Sequence, residues 1–331
     1  MTTFKAAAVQ AAPAWLDLDA TTDKTVDLIG EAAANGADLV AFAETWIPGY
    51  PYHAWLGTQA WAMQYVQAYF HNSLAIDSPQ AQRIRDAAAR HGVHVALGYS
   101  ERAGGSLYMG QMLIDRDGAI VAARRKLKPT HVERVVFGEG DGSDLAVHET
   151  DIGRVGLLCC WEHLQPLTKY AMYAQDEQVH VGAWPSFSLY PMATALGPEV
   201  NTAVSRVYAV EGGCFVLAPS MPVTQELVDR LCGDDEERRA LLLTGGGATT
   251  IFGPDGSTLA AAAPDEETIL YADIDLAMIA LAKAAADPAG HYARADVTRL
   301  LLDRRPRRPV EHAGGPVAPV ELEELEEIVA G

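Results

Sequence analysis

Residues 154–183 read RVGLLCCWEHLQPLTKYAMYAQDEQVHVGA. The run Arg154–Cys159 (RVGLLC) is apolar almost throughout, as a buried strand is. Pro166–Gln175 has the length of a short helix with proline at its first turn. Val179–Ala183 (VHVGA) is a second apolar run. Strands that are apolar along their length, not only at alternate positions, belong to sheets covered on both faces. Strand, helix and strand in that order predict α/β layers.

The same grammar extends in both directions. Lys5–Gln10 and Asp38–Ala43 (DLVAFA) are apolar strand candidates. Between them Thr21–Ala34 carries Val26, Ile29 and Ala33 at helical spacing and stops at Asn35-Gly36. Trp55–Leu74 reads as one long aromatic helix. Ser78-Pro79 opens another, with a capping side chain and then proline, and Gly92 closes it. Val93–Tyr99 is a strand, and Leu107–Ile114 and Ala119–Ala123 flank the hairpin turn Asp117-Gly118. Further on come a helix over Val200–Val210 and a strand over Cys214–Ala218. Thr249–Gly253 and Thr258–Ala262 surround Pro254-Asp255-Gly256, and Thr268–Ile274 alternates as a strand does. No linker interrupts the chain up to about residue 300, so residues 1–300 are expected to form one domain. Residues 301–331 are expected to form a C-terminal extension, flexible or at an oligomer interface, first basic (Asp303-Arg304-Arg305-Pro306-Arg307-Arg308-Pro309), then acidic, with six glutamates and no Lys or Arg from Glu311 onward.

Composition removes several function classes. The 331 residues are 49% hydrophobic and 21% charged, an ordinary globular balance. Twenty-five Lys and Arg against 44 Asp and Glu leave a net charge of −19, the wrong sign for tracking phosphates or an anionic membrane. No stretch approaches the roughly 18 apolar residues of a membrane helix, and the N-terminus lacks a secretory pattern. Cys159, Cys160, Cys214 and Cys232 do not form a disulfide framework. A cytoplasmic location is the expectation.

Phosphate-loop, dinucleotide, zinc-protease and serine-elbow motifs are absent. What remains is a cysteine where a buried strand gives way to polar residues. A strand end fixes geometry while its loop edge stays open to ligand, so reactive side chains in α/β folds gather there. Alternation sends Cys159 and Cys160 to opposite faces, so only one can face a site. A thiolate nucleophile needs a base and a cation nearby. Glu44 ends an apolar strand beside Trp46, and a carboxylate in apolar surroundings becomes a stronger base. Lys126 follows a hairpin strand within Arg124–Thr130. Taken singly, each of these has an ordinary explanation: a buried thiol, a capping glutamate, a solvated basic run. Glu133 would most simply pair with Arg134, and His131 and His163 would be structural. Cys160-x-x-His163 has zinc-like spacing but no second pair to complete a site, so no metal is expected.

Together the segments are specific. Ala43-Glu44-Thr45-Trp46-Ile47-Pro48-Gly49-Tyr50-Pro51, the run Arg125–Arg134 (RKLKPTHVER), and Cys160-Trp161-Glu162-His163-Leu164 follow one another in order. Lys126 comes 82 residues after Glu44, and Cys160 a further 34 after Lys126. They resemble the three signature blocks of the nitrilase family, within the carbon–nitrogen hydrolase superfamily. Similarity continues through Pro166–Tyr173, Trp184–Tyr190 and Tyr208–Gly212. The resemblance implies a four-layer α-β-β-α sandwich, with Cys160 as nucleophile, Glu44 as general base and Lys126 as the cation stabilising the transition state. Glu133 matches an additional supporting glutamate. Trp161 and Trp184 are the substrate-binding candidates. Two departures stand out: Ala43 where proline often precedes the glutamate, and Cys159 where a non-thiol residue usually precedes the nucleophile. The implied activity is hydrolysis of an organic nitrile to acid and ammonia, closest to the arylacetonitrilase and aliphatic branches, without cofactor. An amidase or N-carbamoyl amide hydrolase with the same triad is the alternative, and a non-catalytic binding protein of this fold is a more distant one. The expected partners are a small nitrile and further copies of the chain, as a dimer or a larger spiral homo-oligomer.

Overall fold

The computed structural model of the chain describes residues 3–307. The first half runs β1 (Thr3–Gln10), α1 (Leu18–Ala34), β2 (Leu39–Ala41), α2 (Gln59–Asn72), α3 (Pro79–His91), β3 (His94–Ala103), β4 (Ser106–Ile114) and β5 (Ile120–Arg125). The second half runs β6 (Val147–Thr150), β7 (Gly153–Cys159), α4 (Pro166–Tyr173), β8 (Val179–Ala183), α5 (Pro198–Gly212), β9 (Phe215–Ala218), α6 (Gln225–Cys232) and α7 (Glu236–Leu241). It ends with β10 (Thr250–Phe252), β11 (Thr258–Ala261), β12 (Thr268–Asp275) and α8 (Met278–Ala285).

Two six-stranded sheets result. One has the order β12-β1-β2-β3-β4-β5, the other β11-β10-β9-β8-β7-β6. The centre of each is parallel (β1-β2-β3 and β7-β8-β9), and the hairpin strands join antiparallel. Parallel neighbours need a covered crossover, and α1, α3, α4 and α5 provide the cover. Alternation within β1 shows why four layers form. Ala6 and Ala8 enter a cluster with Leu157, Val181, Phe215 and Leu217 of the second sheet, while Ala7 and Val9 face Ile29 of α1 and Ile84 of α3. On the far side Leu158 and Val216 pack against Ala171 and Met172 of α4 and Tyr208 of α5. Each fully buried Leu, Val, Ile or Phe contributes about 1.5–3 kcal/mol of hydrophobic stabilisation, so all three interfaces are needed to hold the layers.

Several local expectations hold. Ser78 caps α3 by accepting from the Ala81 N–H at 3.2 Å, Pro79 opens it, and Gly92 closes it in the left-handed region at φ 66°. The long helix expected over Trp55–Leu74 is shorter: a single 3-10 turn covers Tyr52–Ala54, Thr58 caps the helix through the Trp61 N–H, and α2 begins at Gln59. Leu300 and Leu302 pack against the outer core of the second sheet, and the Arg307 N–H donates to Asp141 at 2.6 Å. The acidic run from Glu311 lies outside the described residues.

Candidate active site

Three strand ends converge. Glu44 lies just beyond β2, and its N–H donates to the Trp184 carbonyl across the sheet-to-sheet boundary at 3.1 Å. Lys126 directly follows β5 and is tied to β4 by its N–H to the Met109 carbonyl, at 2.7 Å. Cys160 directly follows β7 at φ 45°, a conformation that L side chains avoid. The Glu44 loop fits over β3 only because residue 98 is glycine: a Cβ there would sit 2.0 Å from the Ala43 carbonyl oxygen.

Lys126 Nζ donates to Glu44 Oε1 at 3.0 Å and to Glu133 Oε2 at 2.8 Å, with all three side chains buried. Glu133 also accepts from the Thr130 N–H at 2.6 Å and the Tyr50 hydroxyl at 2.7 Å. Tyr50 in turn accepts from the Trp55 indole N–H at 3.0 Å. Glu133 therefore collects three donors and Glu44 only one; Glu44 Oε2 has no partner among the described residues. One cation cannot neutralise two carboxylates. Burial pushes the Glu44 carboxyl up to about 8; Lys126 pulls it down, and the charge of Glu133 pushes it further up. Burial alone would lower Lys126, but Glu133 and Glu44 hold it well above the usual lysine range. Burial raises the Cys160 thiol well above its ordinary value, Glu44 adds to the rise, and Lys126 opposes it. A base of raised strength beside a thiol and a permanent cation is what nucleophilic addition requires. Glu133 does not pair with Arg134, whose Nε–H donates to the Pro129 carbonyl instead.

A second buried ion pair, which the sequence reading did not identify, joins the Lys126 and Cys160 segments. Glu162 accepts both Arg124 guanidinium nitrogens at 2.7 and 2.8 Å, the Leu127 N–H at 2.9 Å and the Cys159 N–H at 2.7 Å. Burial disfavours its charge, but Arg124 outweighs that and lowers Glu162. Arg124 also donates to Gln111, which reaches the Val181 carbonyl on the opposite sheet. The available signal was a glutamate three residues after Cys159, the spacing at which a side chain returns to a preceding N–H. Cys159 faces the interior, 3.9 Å from Arg124, so Cys160 is the cysteine turned toward the site.

Cys160 opens onto a narrow cleft walled by Tyr50, Trp55, Trp161, Pro185, Phe187 and Leu189. Trp161 is on the wall, and its indole N–H is anchored to Asn201 Oδ1 at 3.0 Å. The expectation that Trp184 lines the cleft is corrected: its ring is buried behind it, stacked on His163 and bonded to Ser205. His163 turns both nitrogens to protein partners, Cys160 O and His180, so no zinc-like pair forms with Cys160. No group of three or more His, Cys, Asp or Glu suited to a metal occurs among the described residues. Nor is any helix there long and apolar enough to cross a membrane.

Residues 5–284 match the carbon–nitrogen hydrolase family. The chain is 60% identical to a nitrilase of Pseudomonas syringae pv. syringae (strain B728a), over 92% of this chain and 90% of that one. It is 54% identical to an arylacetone-specific nitrilase of Alcaligenes faecalis, over 92% of this chain and 86% of the relative. Its fold is similar to that of the carbon–nitrogen hydrolase from Helicobacter pylori G27, with a TM-score of 0.68 and 20% identity over 89% of this chain and 96% of the other.

Proposed function

The chain belongs to the nitrilase family of carbon–nitrogen hydrolases, and from that premise we propose that it converts an organic nitrile to the carboxylic acid and ammonia, with Cys160 as nucleophile. The observation that carries this reading is the position of Cys160. It sits on a positive-φ elbow at the floor of an apolar cleft, with the Glu44–Lys126–Glu133 chain behind it. In its ionised form, which grows toward pH 8, Glu44 takes the thiol proton as sulfur adds to the nitrile carbon. The C≡N bond becomes C=N, and its nitrogen receives the proton while facing Lys126. A water deprotonated by Glu44 adds to this thioimidate, the C–N bond breaks, and ammonia departs with the protons. A thioester remains, and a second water cleaves its C–S bond to release acid and restore the thiol. One nitrile and two waters yield one acid and one ammonia. Glu133 holds Lys126 in place through both halves.

The likeness to named nitrilases supports a nitrile as substrate, and the largely apolar cleft is compatible with one. A nitrile is linear, weakly polar and asks little of its walls, whereas an amide NH2 needs acceptors. Of the polar residues lining the cleft, Asn201 has no acceptor to spare (Oδ1 serves Trp161, and Nδ2 donates to Ala195 O and Gly197 O), while Thr130, Glu133 and Ser186 remain beside it. Aromatic walls suit an arylaliphatic or aliphatic tail. The experiment is ammonia release from phenylacetonitrile and from phenylacetamide, by the wild type and Cys160→Ala. Release from the nitrile that the variant loses supports the reading. Amide turnover without nitrile turnover makes the protein an amidase, and equal release by the variant removes Cys160 from its role.

A further inference from the structure

Behind the elbow lies a buried polar chain that the proposed reaction does not use. His163 Nδ1 is 2.6 Å from the carbonyl oxygen of Cys160. His163 Nε2 is 2.8 Å from His180 Nε2. His180 Nδ1 is 2.7 Å from Glu177 Oε1, and the Tyr208 hydroxyl donates to Glu177 Oε2 at 2.6 Å. Glu177, His163, His180 and Tyr208 are all buried.

Proton counting constrains this chain. Each of the three contacts needs one proton between its heavy atoms, and the Cys160 carbonyl supplies none. Two neutral imidazoles beside a carboxylate carry only two. With two, one contact would place acceptor against acceptor at under 3 Å between fully buried side chains, which is strongly unfavourable. The chain therefore holds a third proton, on the axis between Glu177 and His180. Tyr208 fixes this end of the chain: its ring lies on the His180 imidazole face with centroids 3.9 Å apart, and its hydroxyl donates to Glu177 Oε2. Burial drives His163 well below the usual imidazole value, His180 adding to the effect, so the extra proton is not on that ring. His180 then donates from Nε2, His163 accepts at Nε2, and the only proton of His163 is on Nδ1.

We propose that Glu177 and His180 lock His163 in its Nδ1–H form, and that this N–H, donated to the Cys160 carbonyl, holds the nucleophile's strained elbow in place. The proposal deepens the reading of Cys160 as nucleophile and rests on it. His163 is a positioning residue here. Its ring is fixed from two further sides. Gly182 of β8 leaves room, since a Cβ there would lie 2.8 Å from His163 Nε2. Trp184 stacks on the ring at 5.2 Å, and its own carbonyl accepts the Glu44 N–H. One ring thus links the loops of the base and the nucleophile.

Two measurements test this. In the wild-type enzyme, long-range nitrogen–proton correlation spectra of 15N-histidine-labelled protein should show His163 protonated at Nδ1 and bare at Nε2, with His180 protonated at Nε2. A bare Nδ1 on His163 overturns the proposal, whatever the activity. In the second, His163→Asn keeps an N–H donor near the Nδ1 position, whereas His163→Gln reaches past it toward the Nε2 position. His163→Asn should keep kcat within about threefold, and His163→Gln should lose about tenfold to a hundredfold in kcat at nearly unchanged KM, the scale typical of lost supporting hydrogen bonds. Equal losses in both, or losses in KM alone, overturn it. The spectra need no turnover, so they stand even if Cys160→Ala shows the nucleophile to be elsewhere.

Discussion

Replacing Glu44 with glutamine should abolish turnover and yet stabilise the protein, by an amount that depends on pH. The folded carboxyl titrates at about 8 because burial, aided by Glu133, outweighs Lys126, against 4.5 in an exposed chain. Above pH 4.5 the unfolded state sheds this proton while the folded state keeps it. The unfolded state then binds fewer protons, so stability falls as pH rises, by about 1.4 kcal/mol per pH unit, until the folded group also ionises near pH 8. By pH 7 the accumulated cost is about 3 kcal/mol. Glutamine has no proton to hold, its Oε1 still accepts from Lys126, and Lys126 keeps Glu133 as counter-ion. Urea unfolding of wild type and Glu44→Gln at pH 5, 6, 7 and 8 measures the difference from midpoints and slopes. The expected result is a gap of about 1 kcal/mol or less at pH 5 that widens in favour of the variant to about 3 kcal/mol at pH 7 and flattens above pH 8. A gap that does not change between pH 5 and 7, or a variant less stable throughout, would refute the picture of a strained base held protonated against its surroundings.

Two further changes probe how the strand ends are held. Glu162→Gln leaves Arg124 buried without its counter-charge, which should cost about 3–5 kcal/mol in unfolding free energy. The double change Arg124→Met/Glu162→Leu should recover most of that loss but not kcat, because the Leu127 and Cys159 N–H groups still lack their acceptor; full kinetic recovery would show that Glu162 only balances charge. Gly98→Ala puts a methyl 2.0 Å from the Ala43 carbonyl and should displace Glu44, lowering kcat about a hundredfold while Cys160 remains open to alkylation. Unchanged kcat would mean that β3 does not set the base.

Much of this was legible in the residues, for reasons that differ from part to part. Val179–Ala183 was read to the residue and Arg154–Cys159 to within one, because central parallel strands are apolar on both faces and leave no ambiguity of period. The edge strand β6 and the short helices α6 and α7 were not read: none has the length to show a period, and α7 has six residues, four of them charged. The over-long reading of Trp55–Leu74 came from aromatic content, while Gly57 and the Thr58 cap mark where the helix begins. At the site, no single residue was readable on its own chemistry. Glu133 stood beside Arg134 and looked like its partner; only the turn after Thr130 shows it facing Lys126. Trp184 was read as a substrate-binding candidate within the stretch Trp184–Tyr190 that resembles the family, but a strand end bordering two layers can bury its side chain on either side. The spacing of Glu162 from Cys159 could have marked its bond to the Cys159 N–H, but its pairing with Arg124 joins two sheets and leaves no local mark.

The division of the triad between the sheets explains why so much of the interior is polar. Glu44 and Lys126 follow strands of one sheet, and Cys160 follows a strand of the other. Hydrophobic contact between sheets is non-directional and tolerates sliding, so it can hold the layers together without fixing the reacting atoms to the tolerance that chemistry needs. Directional bonds across the boundary do fix them. Gln111 reaches Val181, Arg124 reaches Glu162, and Glu44 donates to the Trp184 carbonyl. Buried polar groups of this kind add little net stability even when fully paired. Their value lies in allowing one register between the sheets, and the small alanines at 6, 8, 41, 96 and 122 on the inner face of the first sheet let the backbones approach closely enough for these bonds to form. The stability given up by burying Glu44 and the Arg124–Glu162 pair is thus tied to the position of Cys160: loosening either would make the fold more forgiving and the nucleophile less well placed.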